Sequence, residues 1–187
     1  MNKAIFLDRD GTINVEKHYL YRQEDFEFLP GAVNALKLLQ DAGYLLIIIT
    51  NQSGIARGYY SEEDFLQLNQ WMIDTLKGQG VLITDVYYCP HLQNATIEKY
   101  RKNCDCRKPK LGLFEEAIYD YDINLADSYA IGDKIRDCAI CEETACHGFL
   151  TGNNERPDII EEVKEGKRNN ICYAASLKDC ADIILAK

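Results

Sequence analysis

The chain has 187 residues, of which 47% are hydrophobic and 27% charged, and its formal net charge is −9. This length suffices for one domain with a sizeable core, and the apolar content excludes disordered and fibrous classes. The acidic balance argues against nucleic-acid or membrane partners, so an anionic substrate would need locally placed cations. The apolar run before Asp8 has four residues, too few for a signal peptide or a membrane span. We therefore expect a cytoplasmic protein, and we separately expect a monomer.

Apolar runs alternate with segments of helical spacing along the chain. Strands are predicted over residues 4–7, 45–49, 86–88 and 129–131, with two more near 149 and over 171–173. Helices are predicted over 32–39, 61–76, 113–121 and 177–186, the second and last capped by a serine with an aspartate three residues further on. This alternation predicts an α/β fold with a central parallel sheet covered by helices on both faces. Residues 152–169 are predicted to be a polar surface excursion, and residues 1–187 to form a single domain.

Polar side chains follow three of the predicted strands. Asp8 and Asp10 follow the first strand, Thr50 and Asn51 end the second, and Asp133 follows the fourth. Because the carboxyl ends of parallel strands lie at one edge of a sheet, these residues are expected to converge on one cleft. Two crowded carboxylates suit a hard divalent cation, and one of them could attack an electrophile. The alternative is an acidic strand exit without chemistry.

Further residues suggest phosphate binding near the same cleft. The loop over 50–58 offers hydroxyls, amides, two glycines and Arg57, which can hold a phosphate, although a plain turn would also explain it. Arg107 and Lys108 precede a predicted helix and either serve the cleft or form a solvated basic patch. Asp137 either orients a metal-bound water or a lysine, or is an ordinary carboxylate at a helix N-terminus.

The eight cysteines are unevenly distributed. Cys89, His91, Cys104 and Cys106 supply three thiolates and an imidazole within eighteen residues, the donor set of a structural tetrahedral zinc. Chance clustering, core thiols or a redox pair in Cys-x-Cys are the alternatives. The loop over 89–106 has too few apolar residues to fold unaided, so zinc is predicted to pin it and to place the basic residues that follow. Cys138 and Cys141 are predicted to be buried or half-buried thiols rather than a redox pair or a second metal site, and the remaining three cysteines carry no signal.

The segments Leu7-Asp-Arg-Asp-Gly-Thr12, Thr50-Asn51, Lys108 and Gly132-Asp133 together resemble the four motifs of the haloacid dehalogenase superfamily of phosphotransferases, over residues 4–140. The resemblance implies a Rossmann-like three-layer αβα sandwich without a large cap domain, and Mg²⁺-dependent transfer through an aspartyl-phosphate. It makes Asp8 the nucleophile and Asp10 the acid and base, while Thr50 and Lys108 hold the transferring oxygens. Mg²⁺ is expected on Asp8, Asp133 and the backbone carbonyl of Asp10.

The order Cys-x-His, twelve residues, then Cys-x-Cys-Arg-Lys-Pro resembles a narrower branch. That branch holds the D-glycero-D-manno-heptose 1,7-bisphosphate 7-phosphatases and the histidinol-phosphate phosphatases. The loop over 50–58 and the long spacer resemble the heptose enzymes more closely, which implies that Arg107 reads a distal phosphate. The substrate-binding residues that the resemblance implies are Glu16, Lys17, His18, Tyr19, Asn51, Gln52, Ser53, Arg57, Arg107 and Lys134.

The resemblance thus implies a phosphoric monoester hydrolase that removes the C7 phosphate of the heptose bisphosphate, in the supply of ADP-heptose for lipopolysaccharide. Catalytic Mg²⁺ and structural Zn²⁺ are the expected cofactors. Histidinol phosphate, or another small sugar phosphate, is the first alternative substrate. Ser53 and the twelve-residue spacer between His91 and Cys104 argue against histidinol phosphate. A zinc-stabilised binding module without turnover is the second alternative. A nucleic-acid phosphatase is the third, and the acidic charge opposes it.

Overall fold

The computed structural model describes residues 1–186. Six strands form one sheet in the order β3-β2-β1-β4-β5-β6, and every pairing is parallel. The strands are β1 Ala4–Leu7, β2 Leu45–Asn51, β3 Asp85–Cys89, β4 Tyr129–Gly132, β5 His147–Thr151 and β6 Ile171–Ala174. Each predicted strand is confirmed, with ends within two residues of the expected ones.

Helices connect the strands across both faces of the sheet. They are α1 Ala32–Asp41, α2 Ser53–Arg57, α3 Glu62–Gly78, α4 Gly112–Tyr121, α5 Ala139–Glu143, α6 Pro157–Lys164 and α7 Leu177–Leu185. Helices α1, α3, α4 and α7 confirm the four that the sequence predicts. The side chain of Ser61 caps α3 by accepting from the backbone N–H of Asp64, and Ser176 caps α7 in the same way.

Alternate residues of the central strand pack on opposite faces, as the period of a strand requires. Ile5 and Leu7 lie in a core cluster with residues of α1, α3 and α7, whereas Ala4 and Phe6 lie in a second cluster with residues of α4, α5 and α6. The three-layer αβα sandwich is therefore confirmed. Among residues 1–186, no cap domain interrupts the layers, and no helix is long and apolar enough to cross a membrane.

Two segments contain helices that the sequence analysis did not predict. The excursion over 152–169 contains α6, whose Ile160 and Val163 are buried in the second cluster, so its prediction as a wholly polar surface segment is wrong. A short amphipathic helix with few apolar residues gives a weak periodic signal, and tertiary packing stabilises it. Similarly, the predicted phosphate loop contains α2, in which Ile55 and Ala56 are buried.

Candidate active site

The ends of three strands meet at the carboxyl edge of the sheet. β1 lies between β2 and β4. Asp8 follows β1 directly, Thr50 and Asn51 are the last residues of β2, and Asp133 follows β4. Parallel pairing therefore brings the polar residues that the sequence singled out to the same edge.

Lys108 joins these groups although it belongs to none of the strands. Its side chain is buried, and Nζ lies 2.8 Å from Asp8 Oδ1 and 2.7 Å from Asp137 Oδ1, while also donating to the backbone carbonyl of Ile49. Burial alone would lower the pKa of Lys108, but the charges of Asp137 and Asp8 outweigh it and raise the pKa. The Asn51 side chain accepts from the backbone N–H of Lys108 at 3.0 Å and donates to its carbonyl at 3.1 Å. These two hydrogen bonds fix the backbone of Lys108, and its ammonium lies beside the carboxylates of Asp8 and Asp137.

Three carboxylates form a candidate cation site. Oxygen atoms of Asp8, Asp133 and Asp137 lie within 4.8 Å of one another. Burial, reinforced by the neighbouring carboxylates, raises the pKa of Asp8 to about 8 and that of Asp133 to about 6. Gly11, with φ of 87°, permits this crowding because a Cβ there would collide with the Asp133 carboxylate. Crowded and poorly hydrated carboxylates fit a hard divalent cation such as Mg²⁺, whose charge offsets their repulsion.

Asp10 is held apart from this cluster by hydrogen-bond donors. Its carboxylate accepts from Arg9, Asn14 and Gln52 at 2.9 to 3.2 Å. Thr50, the other predicted catalytic residue at this edge, is buried, and its Oγ1 accepts from Gln52 Nε2 at 2.9 Å. The structure thus links Gln52 to the predicted acid and base.

A cavity of about 300 Å³ opens over these groups. Nine of the residues predicted to bind substrate line it: Glu16, His18, Tyr19, Asn51, Gln52, Ser53, Arg57, Arg107 and Lys134. Lys17 instead extends to the surface, where its Nζ lies 3.3 Å from a carboxylate oxygen of Glu27. The neighbouring His18 and Tyr19 adopt left-handed backbone conformations, with φ of 49° and 68°, which are uncommon for residues with a side chain.

Basic side chains line the cavity without carboxylate partners. Within residues 1–186, Arg57, Arg107, Lys134 and Arg136 form no ion pair. Burial lowers the pKa of Arg107, and the nearby charges of Arg136 and Arg57 lower it further, although nearby thiols oppose this. The carboxylates of Asp8, Asp10, Glu16 and Asp133 line the same cavity. In a chain of net charge −9, these basic side chains without ion pairs are a local group of positive charges that favours an anion.

The four predicted zinc ligands also come together. Cys89 Sγ lies 3.5 Å from Cys104 Sγ and 3.0 Å from Cys106 Sγ, and His91 Nδ1 lies 3.2 Å from Cys106 Sγ. The three thiols are free, and all four ligand atoms lie within 4.8 Å of one another. This donor set and spacing fit a closed tetrahedral zinc site, with Arg107 directly after its last ligand.

Five residues at the site were missed by the sequence analysis. They are Arg9, Asn14, Tyr60, Arg136 and Asn154. Arg9 carried a signal, because a cation between two aspartates at a strand end must either reach solvent or pair with an acid. Asn154, which donates to Asp133 at 2.9 Å, lies in a polar segment with no motif around it. Its position depends on contacts between distant parts of the chain.

Comparison with known proteins identifies the class of this fold and site. The sequence model of a family described as Polynucleotide kinase 3 phosphatase matches residues 3–142. The crystal structure of D,D-heptose 1,7-bisphosphate phosphatase from B. bronchiseptica, complexed with magnesium and phosphate, has a TM-score of 0.82 and 27% sequence identity to this chain. That match covers 98% of each chain. Fold and site together define a phosphatase of the haloacid dehalogenase superfamily.

Curated relatives narrow the class. D-glycero-beta-D-manno-heptose-1,7-bisphosphate 7-phosphatase of Haemophilus ducreyi is 52% identical over 141 residues, which cover 75% of this chain and 77% of that protein. D-glycero-alpha-D-manno-heptose-1,7-bisphosphate 7-phosphatase of Photorhabdus laumondii is 47% identical over 135 residues, covering 72% of this chain and 74% of that protein. The chain belongs to the family of these 7-phosphatases and is a phosphoric monoester hydrolase. The family resemblance seen in the motifs is confirmed.

Proposed function

We propose that this chain removes the C7 phosphate of D-glycero-D-manno-heptose 1,7-bisphosphate with the help of Mg²⁺. The observation that carries the proposal is that the cavity contains two separate groups of charged side chains. Asp8 with its paired Lys108 serves one phosphate, whereas the unpaired cations around Arg107 are free to bind a second. A bisphosphate engages both sets, and charge-assisted hydrogen bonds to its distal phosphate add affinity. The activities of the named relatives support this choice of substrate.

Asp8 is the nucleophile in this proposal. Its carboxylate oxygen forms a bond to phosphorus while the bond between phosphorus and the C7 oxygen breaks, which gives an aspartyl-phosphate. Lys108 keeps a fixed ammonium beside the reacting carboxylate, and Thr50 lies at the same strand edge to hold a transferring oxygen. Asp8, Asp133 and the backbone carbonyl of Asp10 would hold Mg²⁺, which supplies positive charge against the repulsion between carboxylate and phosphate.

Asp10 is the proposed general acid and base. It donates a proton to the C7 oxygen as that oxygen leaves, and then accepts a proton from the water that attacks the aspartyl-phosphate. The water oxygen binds phosphorus as the bond to Asp8 breaks, so inorganic phosphate and the free carboxylate are formed. Glu16, His18 and Tyr19 line the cavity where the sugar is proposed to lie.

We assign Zn²⁺ to the set Cys89, His91, Cys104 and Cys106. Its proposed role is mechanical, because a closed site leaves no position for substrate. Pinning this loop would place Arg107 at the cavity for the distal phosphate. We further propose that the protein acts as a monomer in the cytoplasm, in the supply of ADP-heptose for lipopolysaccharide, with no nucleic-acid partner.

The test is phosphate release with Mg²⁺ from both anomers of the heptose bisphosphate, from histidinol phosphate and from a 3′-phosphorylated oligonucleotide. We expect a preference of about a hundredfold in kcat/KM for the heptose bisphosphate, because two charge-assisted hydrogen bonds to the distal phosphate contribute about that much. The β anomer is expected to be the better one, since the relative with the higher identity acts on it. Equal rates, or a preference for histidinol phosphate or the oligonucleotide, would refute the substrate assignment. Asp8→Asn provides the background rate.

A further inference from the structure

The carboxylate of Asp10 is surrounded by donors on both oxygens. Oδ1 accepts from Arg9 Nε at 3.2 Å, from Arg9 Nη2 at 3.0 Å and from Asn14 Nδ2 at 3.0 Å. Oδ2 accepts from Arg9 Nη2 at 2.9 Å and from Gln52 Nε2 at 3.0 Å. Because each oxygen has donors on a different side, the carboxyl plane cannot rotate without breaking several hydrogen bonds. Its orientation is therefore set by the protein before substrate binds.

Gln52 connects this carboxylate to a tyrosine. Its Nε2 donates to Asp10 and to Thr50 Oγ1, while its Oε1 accepts from the hydroxyl of Tyr60 at 2.6 Å. A carboxamide presents a donor on one side and an acceptor on the other, so the Tyr60 hydroxyl decides which side faces Asp10. Both Gln52 and Tyr60 are buried, and burial raises the pKa of the Tyr60 phenol, which therefore remains a donor.

The ring of Tyr60 is itself fixed. It approaches Gly54 so closely that a Cβ at that position would collide with the ring and its hydroxyl. Tyr21 stacks on the ring with centroids 5.6 Å apart. On the far side of Asp10, the guanidinium of Arg9 is fully buried and lies 5.3 Å from the Phe65 ring. Both ends of the arrangement are held by packing, independently of any ligand.

We propose that Tyr60 and Gln52 are positioning residues that, together with Arg9, fix the carboxyl plane of Asp10 for proton transfer. This inference rests on the proposed function, in which Asp10 gives its proton to the leaving oxygen. The consequence depends on the leaving group. An alkyl alcohol needs that proton as it leaves, whereas p-nitrophenolate is a stable anion and leaves without it.

Tyr60→Phe removes the hydroxyl and keeps the ring, and Tyr21→Phe is the matched control because its hydroxyl contacts exposed Arg22 instead. The assay compares kcat/KM with Mg²⁺ for p-nitrophenyl phosphate and for two alkyl esters, the heptose bisphosphate and glycerol 3-phosphate. This ratio includes only steps up to formation of the aspartyl-phosphate. For Tyr60→Phe we expect about a tenfold loss on both alkyl esters and less than about a twofold loss on the aryl ester. Tyr21→Phe should match the wild type on all three.

Gln52→Met removes the donor to both Asp10 and Thr50 Oγ1, so it should lower the rate on all three esters, with a larger loss on the two alkyl esters than on the aryl ester. It also carries the test if Tyr60→Phe fails to fold, which thermal melting would reveal. Equal losses on alkyl and aryl esters would overturn the inference, because a role in binding or general structure affects both alike. The inference would also be refuted if Tyr60→Phe and Gln52→Met both retained the wild-type rate on either alkyl ester. If the wild-type protein cleaved the heptose bisphosphate and glycerol 3-phosphate equally well, the proposed sugar substrate would be refuted. The comparison between alkyl and aryl esters would still test the role of Tyr60 and Gln52.

Discussion

Two regions of the molecule are positioned by different forces. The carboxylate centre is formed by Asp8, Lys108, Asp133 and Asp137 and is largely buried. Asp8 and Asp133 directly follow buried parallel strands, and Lys108 pairs with Asp8 and Asp137. The zinc loop, residues 89–106, contains one short 3₁₀ helix, and Ala95 is the buried residue between its second and last ligands. Burial of apolar neighbours thus orders the centre, whereas we infer that the proposed zinc ligation and a few hydrogen bonds order the loop.

Those hydrogen bonds join the zinc loop to the helices beside the cavity. The hydroxyl of Tyr100 donates to Glu62 of α3 at 2.7 Å, and the backbone N–H of Ile97 donates to the carbonyl of Ala56 in α2 at 3.0 Å. Single hydrogen bonds of this kind make modest net contributions to stability. We infer that the centre is preorganised by the sheet, while the placement of Arg107 depends on zinc. The predictions below separate these two sources of order.

Asp8→Asn should have the largest effect on activity. The amide cannot form the aspartyl-phosphate, so kcat should fall by about a thousandfold or more, as for other nucleophiles. Because burial disfavours the Asp8 carboxylate, the melting temperature without Mg²⁺ should not fall. Steady-state kinetics and calorimetry check both expectations. Retention of more than about a tenth of the activity would exclude Asp8 as the nucleophile.

Lys108→Met should damage both activity and stability. Removing the ammonium takes away the cation beside the nucleophile and should lower kcat by about a hundredfold. It also leaves Asp8 and Asp137 facing each other without their shared partner, which should cost about 3–5 kcal/mol of unfolding free energy. Chemical denaturation measures this cost. Lys77→Met, at an exposed lysine in the last turn of α3, is the control and should change neither quantity much.

Loss of zinc should affect substrate recognition more than the chemical step. Cys104→Ser removes one ligand, and we expect less bound zinc, a lower melting temperature and a KM for the heptose bisphosphate raised by about tenfold or more. Hydrolysis of p-nitrophenyl phosphate should fall less, because Asn51 clamps Lys108 from the sheet side. Cys172→Ser, at an exposed cysteine on β6, is the control. Equal losses on both substrates would show that the centre also depends on the loop.

Arg136→Gln should have the smallest effect. The variant removes one cation from the cavity but leaves the carboxylate centre intact. We expect KM for the bisphosphate to rise by about tenfold with kcat nearly unchanged, and p-nitrophenyl phosphate to be cleaved as before. Arg22→Gln, at an arginine away from the cavity, serves as the control. A fall in kcat on both substrates would place Arg136 in the chemical step instead.

The sequence by itself determined the layers of the fold and the main candidate residues of both sites. Apolar strands, serine caps and helical spacing are local patterns, and they predicted the six strands and four of the helices within a few residues. The acidic pair Asp8 and Asp10 and the four predicted zinc ligands were also identifiable. Each group lies within a short stretch of sequence, and its residue types are those that bind metals. Helices α2 and α6 were missed because packing, rather than local pattern, stabilises them.

Only the tertiary structure decided how these residues are connected. Lys108 and Asp8 are 100 positions apart, and Gln52 and Asp10 are 42 apart, yet each pair is in hydrogen-bond contact. The sequence assigned Gln52 to substrate, and the structure shows that Gln52 also donates to Asp10. The sequence placed Lys17 beside the sugar, whereas the structure pairs Lys17 with Glu27 at the surface. Such partnerships depend on strand order and side-chain packing across the whole fold, which no local pattern encodes.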